Sequence, residues 1–145
     1  MQQEEQGMLD MMANLQQLKA ELEQTGKQFM ADKISIRQSV MANLPVMGTS
    51  VQHGLRPCII VSNNKANTYS PNVVLVPLTS RSKKPLPTHY TIMPTLKNGL
   101  KVNSTALAEQ IITISKSAIQ KVIGCVDNSD MIHVNKILKE SISLF

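Results

Sequence analysis

Apolar positions in this chain follow two different periods, and the change from one to the other falls near residue 33. Met8, Met11, Leu15, Leu18, Leu22 and Phe29 alternate in spacings of three and four, with Thr25 in the seventh slot and Gln, Glu, Lys and Ala between them. Residues so spaced share one face of an α-helix, the seam pattern of a coiled coil, and predict a helix of about 20 residues. Only about three heptads, two methionines in the seam and Gly26 near its end leave such a helix marginal alone. It is therefore expected to dock on the rest of the chain or on a second copy.

From Ile34 onward the apolar runs are short: Cys58 to Val61, Val73 to Leu78, and His89 to Ile92, separated by Asn, Ser, Pro and Lys clusters. Runs of this length bounded by turn formers read as strands of a small β-barrel. Asn63 to Pro71 carries turn chemistry, and the basic loop Arg81 to Pro87 cannot pair continuously because proline lacks the N–H. Ala106 to Ile114 reads as a further strand. Ser115 is placed to cap a short helix through Ile123, and Val134, Ile137, Leu138 and Ile142 mark one face of a final helix. The expected layout is an acidic amphipathic helix over residues 1–32 and a mainly β domain over 33–145, with no second large domain in 145 residues.

Charge sharpens that division. Residues 1–32 hold two Lys and six acids, a balance of −4, whereas residues 33–145 hold thirteen Lys or Arg against four acids, a balance of +9. A small domain with that excess attracts nucleic acid or an acidic protein segment through its summed field. Aromatic residues are 3% of the chain, with no Trp. RNA would therefore be held through its phosphates more than by stacking of bases. No run of about 18 apolar residues is present, and the first residues are acidic and glutamine-rich, so neither a membrane span nor a secretory signal is expected and the chain reads as cytoplasmic. Cys58 lies in the apolar run PCIIV and Cys125 is far from it in sequence, which suits buried thiols better than a disulfide or a metal site. The sequence has no GxSxG, Walker loop or HExxH pattern, and no cofactor is implied.

Several short motifs occur in one order: RP at Arg56–Pro57 opening a β run, YSP at Tyr69 to Pro71, LT at Leu78–Thr79, PTH at Pro87 to His89, and LAEQI at Leu107 to Ile111. In that order they resemble the MazF/PemK family of toxin endoribonucleases, over about two thirds of the chain. The resemblance implies an SH3-like, CcdB/MazF-type barrel with a C-terminal helix, working as a homodimer on single-stranded RNA, with an acidic antitoxin protein as partner. It also implies a catalytic role for Arg56 and an active-site role for Thr79.

Cleavage of RNA without metal uses the neighbouring 2′-hydroxyl as nucleophile, so a protein must take up its proton, steady charge on phosphorus and help the 5′-oxygen leave. Arg56 suits the phosphate: its planar fork grips two oxygens and stays charged at every relevant pH. Thr79, at the end of VVLVPLT, offers a hydroxyl to a phosphate oxygen, with Ser80 beside it. Lys65, Arg81, Lys83 and Lys84 are candidates to track the RNA backbone.

Two departures from the family pattern stand out. The usual RGD opening is reduced to Arg37, Gln38, Ser39, Val40 and Met41, and the glutamate found in many relatives five residues before the RP arginine is Val51 here. His53, three residues before Arg56, is the nearest group able to act as a base near neutral pH. His89 and His133 read as structural. Two other readings stay open from the sequence: a CcdB-like gyrase-binding toxin, which would depend on residues Ile142 to Phe145, and a noncatalytic relative that binds RNA or peptide.

Overall fold

The computed structural model describes the backbone of residues 2–81 and 84–144, and the side chains of these except 22–32. The first helix, α1 (Gln2–Asp32), is longer than the 20 residues expected. A lone glycine costs a helix about 1 kcal/mol relative to alanine, and the good helix formers around Gly26 outweigh it. Residues 2–21 are exposed at every position, so this stretch does not dock on the domain as one of the two expectations had it. The base of the helix is fixed by Ile34, which is buried in the core.

Seven strands follow among the described residues: β1 (Gln38–Leu44), β2 (Gly54–Ile60), β3 (Asn72–Thr79), β4 (His89–Ile92), β5 (Ser104–Leu107), β6 (Ile112–Ser115) and β7 (Ile119–Cys125). They form one antiparallel sheet in the order β4-β5-β3-β2-β1-β7, with β6 also on β3. β4 and β7 end this path without pairing with each other, so the SH3-like barrel expected from the sequence is present in an open form. The sheet is closed over at one end by α3 (Asn128–Ser141), capped by the Asp127 side chain, which accepts from the Asp130 N–H at 3.0 Å.

Strict alternation along β2 and β3 divides the interior. Cys58 and Ile60 of β2, with Val73 and Leu75 of β3, join Val40, Ala42 and Ile114 in one cluster, whereas Ile59, Val76 and Leu78 point the other way, toward Met131, Val134 and Ile137 of α3. Both faces of the central strands are therefore covered, which is why they read as unbroken apolar runs rather than as an apolar–polar alternation.

Four local expectations are corrected. Asn63 to Pro71 contains a short helix, α2 (Asn64–Tyr69), because the Asn63 side chain accepts from the Ala66 N–H and caps it. Ala106 to Ile114 is not one strand. β5 and β6 both use the same edge of β3, but their registers differ by three residues, and the 3-10 turn Ala108–Gln110 takes up that difference. Ser115 does cap, but only the single turn Lys116–Ala118, after which the chain extends as β7 along the free edge of β1. Ile142 lies past the end of α3 and is exposed, so Met131, not Ile142, completes the buried face with Val134 and Ile137.

Candidate active site

Arg56 stands near the start of β2, two residues after Gly54, whose φ of +77° lies in the region where glycine alone is unstrained. That turn brings the chain back so that Arg56 Nε donates to the carbonyl oxygen of His53 at 2.6 Å. Among the described residues the two terminal nitrogens of Arg56 have no partner. The last β2–β3 pair is Cys58 with Pro77, and two residues further along each strand come Arg56 and Thr79, on the same face of the pleat. The two residues singled out from the RP and LT motifs thus lie on opposite strands just past the last β2–β3 pair, and of the two Arg56 alone lines the groove there.

Arg56 opens into a groove of about 480 Å³ lined by apolar Met41, Leu55, Leu100 and Val102 and by polar Ser80, Lys101, Gln120 and Lys121. Lys101, Gln120 and Lys121 were not singled out from the sequence. Lys121 sits in a segment whose hydroxyl cap suggested a helix, and only as part of β7 does it come to face the groove. Lys101 follows the Asn98-Gly99 dipeptide, a turn signal in its own right.

That turn is held tightly. The buried Asn98 side chain accepts from the N–H groups of Thr95 and Leu100 and donates to the Met93 carbonyl, each bond at 2.9 to 3.0 Å. Ser39 donates its hydroxyl to the Asn98 carbonyl at 2.6 Å. A Cβ on Gly99 would lie 2.0 Å from the Ile123 carbonyl oxygen, and one on Gly124 would lie 2.3 Å from that of Lys97. The turn and β7 are thus pressed backbone to backbone, which fixes Lys101 and Lys121 relative to each other.

The remaining candidates are spread around this centre. His53 is exposed, its Nδ1 is 3.3 Å from the Val51 carbonyl oxygen, and its ring does not line the groove. Thr79 is 2% exposed, and its hydroxyl accepts from the Arg81 N–H at 3.2 Å, so it shapes the turn that presents Ser80 and Arg81. Arg81 and Lys84 are exposed at the root of the following loop, while Lys83 lies outside the described residues. Lys65 belongs to a different, shallow surface beside Tyr69 on α2 and does not line the groove.

The PTH and LAEQI motifs act as braces. Glu109 accepts from Thr88 Oγ1 and from His89 Nε2, both at 2.8 Å. Burial pushes the Glu109 carboxyl up, but these two hydrogen bonds with its own turn's N–H outweigh it and hold it below the usual carboxylate range. Gln110 accepts from the Gln52 N–H at 2.8 Å and donates to the Ser50 carbonyl, tying down the loop that carries His53. Tyr90 stacks on His133 with centroids 4.6 Å apart and donates its hydroxyl to Asp130, and that bond, with burial, pushes its pKa up to about 12. Cys58 is buried, which pushes its thiol up to about 12 despite the nearby Arg56 charge. It is a packing group, not a nucleophile.

The open barrel thus carries one groove in which Arg56, Lys101 and Lys121 come together. The sequence pattern of the PemK-like, MazF-like toxins of type II toxin–antitoxin systems matches residues 38–142. A protein named endoribonuclease MazF from Staphylococcus saprophyticus is 36% identical over 101 residues, 69% of this chain and 82% of that protein, and one from Staphylococcus epidermidis is 37% identical over the same length. Among solved structures, a mycobacterial endoribonuclease in complex with its cognate antitoxin matches 77% of this chain and 97% of its own, at 25% identity and a TM-score of 0.64. MazF from Deinococcus radiodurans gives the same TM-score at 20% identity, over 76% of this chain and 96% of its own. The chain belongs to the PemK-like, MazF-like toxin family, with α1 lying outside the matched residues.

Proposed function

We propose that this chain is the endoribonuclease toxin of a toxin–antitoxin pair, cutting single-stranded RNA without a metal. Its family membership and relatives named endoribonuclease support the activity. The observation that carries the site is the unpartnered end of Arg56, set beside Lys101, Lys121 and Ser80 in one groove.

In the reaction, the 2′-hydroxyl of one nucleotide attacks the adjacent phosphorus. The 2′-oxygen–phosphorus bond forms, the bond from phosphorus to the 5′-oxygen breaks, and the products are a 2′,3′-cyclic phosphate and a 5′-hydroxyl. Arg56 grips the phosphate and balances its growing charge, with Lys101 and Lys121 adding to the field. His53, beside the backbone that holds Arg56, takes the 2′-proton and an equivalent proton returns to the departing 5′-oxygen. Thr79 orients Ser80 and Arg81 toward the RNA through its bond to the Arg81 N–H. Arg81 and Lys84 carry the RNA backbone away from the groove, and Lys65, past the other end of β2, is a separate contact for a longer strand.

The chain acts as a homodimer, and an acidic antitoxin is its protein partner. The groove's mixture of apolar lining residues and lysines suits an acidic segment carrying apolar side chains. Solved structures of similar fold are described as MazE–MazF from Deinococcus radiodurans and as a mycobacterial endoribonuclease in complex with its cognate antitoxin. Incubating the purified protein with mixed-sequence RNA in EDTA, beside Arg56→Ala, tests the reading. Discrete cuts ending in 2′,3′-cyclic phosphate, absent with Arg56→Ala, are expected; RNA bound but uncut would overturn the catalytic reading.

A further inference from the structure

The exposed apolar stripe of α1 is outside the groove, outside the matched residues and unused by the function proposed above. Met8, Met11, Leu15 and Leu18 are each more than half exposed, and Met12 beside them widens the stripe. In sequence the same three-and-four spacing continues at Leu22, Thr25 and Phe29. Over residues 8–18 this face of the helix is turned to water, leaving a contiguous apolar surface uncovered. Strict heptad spacing differs from the broader stripe of a helix lying on a globular surface, and it fits one kind of cover, another helix with the same repeat.

We propose that α1 pairs in parallel, in register, with α1 of a second copy of this chain, as a two-stranded coiled coil. With Met8, Leu15, Leu22 and Phe29 as one set of seam positions and Met11, Leu18 and Thr25 as the other, the flanking pairs between copies are Gly7 with Met12, Asn14 with Lys19, and Glu21 with Gly26. No like charges face each other across the seam, so the −4 balance of residues 1–32 does not oppose pairing at close range. Parallel register also sets each Thr25 against its twin, whereas the antiparallel alignment that pairs Leu15 with Leu18 sets it against Met8. From Met8 to Phe29 the seam is about 31 Å long at 1.5 Å per residue. The two faces together cover on the order of 1,000 Å², about the least area a specific interface needs. Ile34 fixes the base of α1 to the barrel, so pairing of the helices draws two domains together.

The stripe is exposed, so polar substitutions on it leave the barrel intact. Sedimentation of the full chain against concentration, beside Leu15→Glu/Leu18→Glu, measures the pairing. The variant should dissociate at a concentration at least tenfold higher than the parent, or stop one assembly step short; superimposable curves would overturn the proposal. In a Cys125→Ser background, Met8→Cys should form a disulfide between chains on mild oxidation. Curves that differ without that disulfide would overturn it too, and would place α1 on another surface, such as the Arg56 groove of a second copy or an antiparallel helix.

Discussion

Arg56 is held by the backbone carbonyl of His53, not by the imidazole: its Nε donates to that oxygen at 2.6 Å. Two roles of one residue are thereby separable. His53→Ala keeps the carbonyl and should leave Arg56 in place, so RNA affinity should persist. Cleavage should fall by about 10²- to 10⁴-fold if the imidazole moves the proton. Single-turnover rates from about pH 6 to 8 decide it, since an unchanged profile would remove His53 from proton transfer.

Lys101 and Lys121 line the groove and Lys65 does not. Each phosphate contact to a single strand contributes about 0.7 to the slope of log affinity against log salt. Lys101→Ala and Lys121→Ala should each lower the slope by about that amount. Fluorescence anisotropy with an uncleaved RNA over a salt series measures it. Lys65→Ala separates the groove from the wider cationic track: an unchanged slope would confine RNA to the groove.

Gly99 combines a φ of +68° with a Cβ position 2.0 Å from the Ile123 carbonyl oxygen. Neither the backbone of the turn nor that of β7 can yield easily. Gly99→Ala should cost about 2 kcal/mol or more. Thermal unfolding should show a clear drop in Tm, and affinity for RNA should fall with it as Lys101 shifts.

Glu109 carries a depressed pKa because Thr88 and His89 bond its ionised form, with burial working against them. A depressed carboxyl stabilises the fold above its unfolded pKa, and that stabilisation disappears as pH falls through the lower folded value. Denaturant unfolding from about pH 7 down to pH 3 should therefore show an acid-dependent loss that is smaller in Glu109→Gln. Glu109→Gln should also be less stable at neutral pH, because one charge-assisted bond to His89 is lost.

Cys58 should resist thiol reagents in the folded protein at pH 8, since burial holds its thiol near pKa 12. Labelling with a chromogenic disulfide, with and without denaturant, measures this; rapid reaction of Cys58 in the native chain would contradict the packing.

The strands of the domain were legible because β2 and β3 are covered on both faces and therefore announce themselves as apolar runs. The segment after β5 was not, because its break is imposed from outside: β3 offers one edge to two strands in different registers, and nothing local to Ala108–Gln110 says so. Ser115 misled for a related reason, since a hydroxyl cap looks the same before one turn as before four. At the site, Arg56 and Thr79 could be picked out by the RP and LT motifs, but only Arg56 lines the groove, because Thr79 is turned inward and its hydroxyl accepts from the Arg81 N–H. Lys121 could not be picked out, because its direction depends on β7 pairing with β1 across about 80 residues of chain. The exposure of α1 was equally hidden. A heptad states that a helix needs a partner without stating where that partner is.

The backbone contact of Gly99 and Gly124 with the opposite segments bears on how quickly RNA is captured. Lys101 and Lys121 ride on a single unit with no hinge between them, so no search for a competent arrangement precedes the encounter. The rate of capture is then governed by diffusion in the domain's positive field, and it should fall with salt more steeply than the rate of escape rises.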